Sequence, residues 1–517
     1  MSNIKTSRRQ FLTTSAATFA LTACGGSTSS SSNTGNDNSV DNMQPPVLED
    51  PSDNVNNNPG IQRPVRFNEP RGLHVSIQSS VHEARTITWF TDVETGQAPI
   101  ESFLQFGPVT DDMTDSDIQV LPLPSESLAV SSVTPGVSAF TFRATMNDID
   151  NSLPIRYRVG SERGGWSDVK VIKPTRTDNW SFIHYGDQGV GPLAQLVVQQ
   201  VQNNPTDLLM LAGDLSYADG NQPVWDDWFD FMEPVMAERI TMAAPGNHEN
   251  KDFGGAAFKN RFSHPEKPLG NFFGSNDPGS SFYSFRFNRV HFLVSTAGAF
   301  IEDGTLAEEL INIEYDLSQA AAARAAGEID FIIIMQHYTI FTDQEGRGPF
   351  NPSLVALQEQ MIARYGVDSV IVGHDHIYQR SKPMNAGIET PEGYVQVLAG
   401  TGGQSIRLIG GNDFDDPGVQ PWSAKAFEGI GYVKYDVEPG KIKAQYFGAP
   451  PLSRSEEGRS QSTGIFELVD EFTLTARPKI ACQNCALPPR SSDELLKDYE
   501  LIATNVRMRN HKVSHGC

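Results

Sequence analysis

From about residue 62 to 174, apolar and polar positions alternate in short runs. Examples are Leu73-His74-Val75-Ser76-Ile77, Thr86-Ile87-Thr88-Trp89-Phe90, Ala139-Phe140-Thr141-Phe142-Arg143 and Ile155-Arg156-Tyr157-Arg158-Val159, with turn residues between them. A period of two with one apolar face predicts strands of a β-sandwich about 100 residues long. At Asn179 the rhythm changes. The apolar runs Trp180–Tyr185, Leu208–Ala212, Ile240–Ala244, Val290–Ser295, Ile329–Met335 and Ser369–Val372 end in turns, several containing glycine. Helix-like segments such as Pro192–Gln202 and Thr305–Ala326 lie between them. Strands that are apolar throughout need cover on both faces, so this half predicts an α/β domain of β-sheets flanked by helices, over 179–478. It closes with a hairpin, Gly431–Glu438 and Lys441–Phe447 turned at Pro439-Gly440, and a further strand at Glu471–Thr475.

The two ends of the chain are different in kind. Residues 25–61 are mostly Gly, Ser, Asn, Asp and Pro and read as a flexible tether. Residues 1–24 carry Arg8-Arg9 in S-R-R-Q-F-L, similar to a twin-arginine export signal. The apolar stretch Phe11 to Ala23 is too short to span a bilayer. It ends at Leu21-Thr22-Ala23-Cys24, which resembles a bacterial lipobox and implies lipidation at Cys24. The expectation is an exported protein, periplasmic or at the cell surface, anchored to a membrane through Cys24. The tail, 479–517, holds Cys482 and Cys485 in a CxxC, then His511, His515 and Cys517. Those residue types suit a zinc site, but export favours a disulfide.

Composition narrows the partners. The 517 residues carry a formal net charge of −23, a surface that repels nucleic acid. An anionic substrate therefore needs local positive charge. No cysteine lies between Cys24 and Cys482, so packing alone holds the middle of the chain.

The chemistry collects at strand ends. Five apolar runs are followed by metal-ligand residue types: Gly186-Asp187, Gly213-Asp214 with Tyr217, Gly246-Asn247-His248-Glu249, Gln336-His337, and Gly373-His374-Asp375-His376. In open α/β sheets such tips converge on one site. Each segment alone is weak, but the ordered set over about 190 residues is specific. His74 and His82 lack metal-ligand company, and His184, His264 and His291 read as structural.

This order resembles the metallophosphoesterases, and Tyr217 makes it similar to the purple acid phosphatases. Tyr157-Arg158-Val159-Gly160 with Gly165-Trp166-Ser167 looks like the end of that family's fibronectin type III-like domain, here 62–174. The glycine-rich turn Gly400–Gly403 also falls where that family has one. The resemblance implies that Asp187, Tyr217 and His376 hold one metal, Asn247, His337 and His374 a second, and that Asp214 bridges them. Carboxylate and phenolate suit Fe3+; the second site suits Fe2+, Zn2+ or Mn2+. The implied activity is acid phosphatase: hydrolysis of small phosphomonoesters by attack of metal-bound hydroxide, with His248 contacting phosphate and passing a proton. A phosphodiesterase or nucleotidase on the same metals is the alternative, and a non-catalytic surface binding protein is a third reading. The chain departs from the plant-type pattern after His337, where no His-x-Pro and no further histidine follows; Asp343, Glu345 or Arg347 stands on that side instead. Asp375, Tyr378 and Arg380 read as ligand-orienting or as solvated. The oligomeric state is not legible in the sequence.

Overall fold

The computed structural model describes residues 67–78, 80–82, 84–265, 281–297, 305–410 and 419–477. Cys24, the tether and the cysteine-containing tail lie outside them. Among the described residues no helix is long and apolar enough to cross a membrane.

Two sheets form the centre. The larger has ten strands, in the order Glu467–Thr475, Lys441–Ala449, Ile430–Glu438, Trp180–Tyr185, Leu208–Ala212, Ile240–Ala244, Pro70–Ser76, Arg85–Asp92, Ala139–Met146, Val130–Val133. The second has seven, in the order Tyr283–Phe287, Val290–Val294, Phe331–Met335, Ser369–Val372, Val395–Ala399, Tyr378–Ser381, Ser423–Phe427. Alternate residues divide between two cores. Phe182, Met210 and Met242 meet Phe285, Phe292, Ile333, Ile371 and Val397 between the sheets. Ile183, Tyr185, Leu209, Leu211 and Ala243 pack outward, against the helices Pro192–Asn203 and Gln222–Met236. On the other side Ile332, Ile334, Val370 and Val372 pack against the helices Thr305–Ala326 and Glu359–Tyr365. Burial on both faces is why these strands are apolar throughout. The Pro439-Gly440 hairpin forms with Glu438 opposite Lys441, and Gly440 takes the left-handed φ of 74° that the turn requires.

The N-terminal strands do form two facing sheets, but one of them is not separate. Leu104, Phe106, Tyr157 and Val159 of the smaller sheet share a core with Leu73, Val75, Ile87 and Trp89. The Pro70–Ser76 strand then pairs in parallel with Ile240–Ala244, Val75 opposite Ile240, so the sheet runs on into the α/β half. Tyr157 Oη donates to Ala237 O at 2.6 Å across the same junction. Arg71, Asp92, Asp226 and Arg261 seal it with a buried ionic network: Arg71–Asp92 2.8 Å, Arg71–Asp226 3.2 Å, Arg261–Asp226 2.8 Å. The change in sequence rhythm near 175 thus marks a change of strand type and not a break in the sheet.

The histidines read as structural are buried in packing. His74 faces Gly72 O and Arg261 O at 2.8 and 3.0 Å. His291 Nε2 meets Asp316 Oδ1 at 2.6 Å. His184 lies on the inter-sheet face of its strand, and His264 stacks on Tyr283. Burial pushes the imidazoles of His184 and His264 down to about 3. The unfolded chain takes up protons near ~6.5 that the folded chain refuses, so stability is full above that pH and falls as pH drops toward about 3. Each such histidine contributes a loss of about 1.4 kcal/mol per pH unit in that window. We expect the thermal midpoint to fall between pH 7 and pH 5, and His184→Leu to flatten the slope. An unchanged slope in that variant would assign the acid sensitivity elsewhere.

Candidate metal centre

The parallel strands of both sheets end on the same side, and the turns after Tyr185, Ala212, Ala244, Met335, Val372 and Ala399 meet there. Backbone bonds lock them to each other. Gly186 N–H donates to Ala399 O at 2.9 Å, Gly402 N–H to Gly186 O at 2.8 Å, Asp187 N–H to Gly213 O at 3.0 Å, and Gly373 N–H to His337 O at 3.0 Å.

The seven side chains singled out as ligands come together in two groups. In one, Tyr217 Oη lies 3.1 Å from both Asp187 Oδ1 and His376 Nε2, and His376 Nε2 lies 3.2 Å from Asp187 Oδ1. In the other, His337 Nε2 lies 3.1 Å from Asn247 Oδ1, 3.2 Å from His374 Nδ1 and 3.0 Å from Asp214 Oδ2. Asp214, His337 and His374 are near enough to share one ion. Asp187, Asp214 and His337 are buried at 0%, 2% and 0% exposure. Carboxylates placed so deep call for a cation.

The donor atoms are aimed by partners on their far sides. His337 Nδ1 faces the Ala212 carbonyl at 2.7 Å, which fixes the proton there and leaves Nε2 for the centre. His376 Nδ1 is within hydrogen-bond reach of Ser405 Oγ, which orients the ring. Burial opposes a charge on His337, but Asp214 and Asp187 outweigh it and raise this imidazole to about 10. Residue type, depth and spacing therefore fit a pair of metal ions.

Backbone strain concentrates here. Asp187, Asp214, Tyr217, Asp219 and His374 all have left-handed φ, at 60°, 50°, 56°, 48° and 75°. The left-handed region is uncommon for non-glycine residues, most of all for a bulky tyrosine, and such strain gathers at functional sites. Gly246 has no room for a side chain: a β-carbon there would land on the Asp214 carboxylate.

Two residues without an assigned role complete the centre. Glu249 accepts the backbone N–H groups of Asp214, Leu215 and Gly246 at 2.8, 2.8 and 2.7 Å, pinning two ligand turns together. Asp219 Oδ1 sits 2.6 Å from His248 Nδ1. A carboxylate only accepts, so Nδ1 carries the proton. His248 packs at a tilt against Tyr217, ring centroids 4.2 Å apart, with Nε2 3.9 Å from Asp214 Oδ2. Glu249 stood inside the quoted G-N-H-E, and Asp219 two residues past Tyr217; nothing in their spacing announced a partner. Tyr378 and Arg380 turn away, to Asp470 at 2.8 and 2.7 Å. Asp343 is buried, with Oδ2 bonded by Gln379 Nε2; Glu345 is exposed.

Residues 183–378 match the calcineurin-like phosphoesterase family. Purple acid phosphatase 18 of Arabidopsis thaliana is 24% identical over 361 residues, covering 68% of this chain and 75% of that protein. Acid phosphatase type 7 of Mus musculus is 25% identical over 417 residues, covering 74% and 88%. A solved structure of purple acid phosphatase from yellow lupin (Lupinus luteus) seeds has the same fold, with a TM-score of 0.62 at 18% identity, over 82% of this chain and 78% of that one.

Proposed function

We propose that this chain, which resembles the metallophosphoesterases and among them the purple acid phosphatases, is a dinuclear-metal hydrolase of phosphoric esters and acts as an acid phosphatase on small phosphomonoesters. The observation that carries the finer reading is the gathering of seven ligand-type side chains in two groups, with Asp214 beside His337 and His374. Asp187, Tyr217 and His376 would hold Fe3+, since a carboxylate and a phenol offer hard oxygen donors. Asn247, His337 and His374 would hold Fe2+, Zn2+ or Mn2+, and Asp214 would serve both. When bound, such ions activate water and neutralise charge on phosphoryl oxygens.

The chain's own groups do the rest. Asp219 holds the His248 ring with its Nε2 toward the centre, where it can keep a proton and hand it to the leaving oxygen. Helix and sheet packing excludes water from behind the ligands, because both sheets end in buried turns. The N-terminal sandwich reads as fibronectin type III-like. The export and anchoring reading at Cys24 belongs to this proposal as well; membrane fractionation of the full chain tests it, and a protein recovered only in the aqueous phase would remove the anchor.

The test is a panel of phosphomonoesters and phosphodiesters across pH, run with metal analysis and a visible spectrum. We expect two transition-metal ions per chain, a purple absorption band and faster turnover of monoesters in acid. Absence of bound transition metal would sink the reading. Faster turnover of diesters would replace it by the phosphodiesterase reading, and loss of the band alone would remove iron from the Tyr217 site.

A further inference from the structure

The segment after His337 carries a cation, Arg347, that meets the carboxylate lying between two of the ligand-type histidines. Residues 342–347 are tied down on both sides. Glu345 N–H donates to Leu408 O at 2.8 Å, Gly410 N–H to Asp343 O at 3.0 Å, and Arg347 N–H to Gln344 O at 3.2 Å. The backbone N–H of His376 donates to Gln344 Oε1 at 2.7 Å, so this turn and the His376 ligand are positioned by the same contacts. Gly346, with φ of 78°, turns the chain so that Arg347 follows. Arg347 Nε then lies 3.3 Å from Asp375 Oδ1, and Asp375 is the buried residue between His374 and His376. The Arg347 side chain is 19% exposed.

A guanidinium is planar, with five donors, and meets a carboxylate on one edge while presenting others to a phosphoryl group. The chain carries a net charge of −23, so a fixed cation at the rim decides which anions approach. Resting on the phosphatase reading above, we infer that Arg347 contacts a non-bridging oxygen of the substrate phosphoryl group and sets a preference for dianionic monoesters over monoanionic diesters. A monoester above its second ionisation, about 6, carries one more negative charge than a diester of the same size, so loss of a cation penalises it more.

The experiment uses the full chain with its metals quantified, at pH 7. The substrates are p-nitrophenyl phosphate and bis(p-nitrophenyl) phosphate, and calorimetry reads the binding of inorganic phosphate. Arg347→Gln is expected to lower kcat/KM on the monoester about 10²-fold and on the diester less than about 5-fold. It should weaken phosphate binding about tenfold or more, with metal content unchanged. Arg347→Lys keeps the charge and is expected to restore most of the monoester preference. Equal losses on both esters, or unchanged phosphate affinity, would overturn the assignment. So would a lysine variant that matches the glutamine variant in ester ratio, since packing and not charge would then be responsible. If the wild-type protein turned over neither ester, the phosphatase reading would fall, and phosphate affinity would still decide for or against Arg347.

Discussion

Asp214→Asn is expected to bind at most one metal ion per chain and to lose about 10³-fold or more in kcat/KM on any phosphate ester the wild-type protein accepts. The side chain is nearly isosteric, and Oδ1 can still accept the His248 N–H that it holds at 2.9 Å. What changes is Oδ2, 3.0 Å from His337 Nε2. Placing an amide there removes the negative charge beside His337 and His374. Burial opposes the ionised form of Asp214, yet His337 and His248 hold its carboxyl below the usual carboxylate range. The fold should persist, because the backbone of the turn is held by Glu249 and not by Oδ2. Metal analysis beside a thermal scan separates the outcomes. Two ions retained, with activity within tenfold of wild type, would show that Asp214 does not bridge.

Gly246→Ala is expected to produce the same loss from a residue that carries no functional group. The three atoms nearest its missing β-carbon all belong to Asp214, and the Asp214 backbone nitrogen would be 2.6 Å away. Neither neighbour can yield: the nitrogen donates to Glu249 at 2.8 Å and the carboxylate is enclosed. Overpacking of this kind typically costs about 1–3 kcal/mol, so a lower melting temperature should accompany loss of bound metal. Gly191→Ala is the control, since nothing lies within 4 Å of its β-carbon. An alanine at 246 that left metal content and stability at wild-type values would show that the turns have slack.

Much of this was legible from residue order. The strands Trp180–Tyr185, Leu208–Ala212, Ile240–Ala244 and Ser369–Val372 fall at the bounds their apolar runs predict, because each is covered on both faces. The helix Thr305–Ala326 does too. The ligand-type residues stood out because each follows such a run directly. Elsewhere the pattern carried no information. The helix Gln222–Met236 begins in a Gly-Asn-Gln-Pro turn and holds Pro234, signals that read as loop, yet Trp225, Trp228, Phe229 and Met232 pin it to the sheet. Asp219, Glu249 and Arg347 act through partners far away in sequence or hidden in a turn, and a spacing rule has no access to those. The left-handed backbone at Asp214 and Tyr217 is likewise invisible, since neither is a glycine.

The run of the sheet from Ile240–Ala244 into Pro70–Ser76 bears on the order in which the chain can be assembled. During synthesis Val75 emerges long before Ile240, its partner across the ladder. One edge of the Pro70–Ser76 strand, and the charged side chains of Arg71 and Asp92, must therefore wait for Asp226, Arg261 and that strand to appear. Pairings of such long sequence separation form slowly and leave an apolar strand edge open to other chains in the interval. The N-terminal half thus cannot finish folding first as an independent bead; its completion, and with it the closing of the larger sheet, follows the arrival of the segment that carries Asn247 and His248.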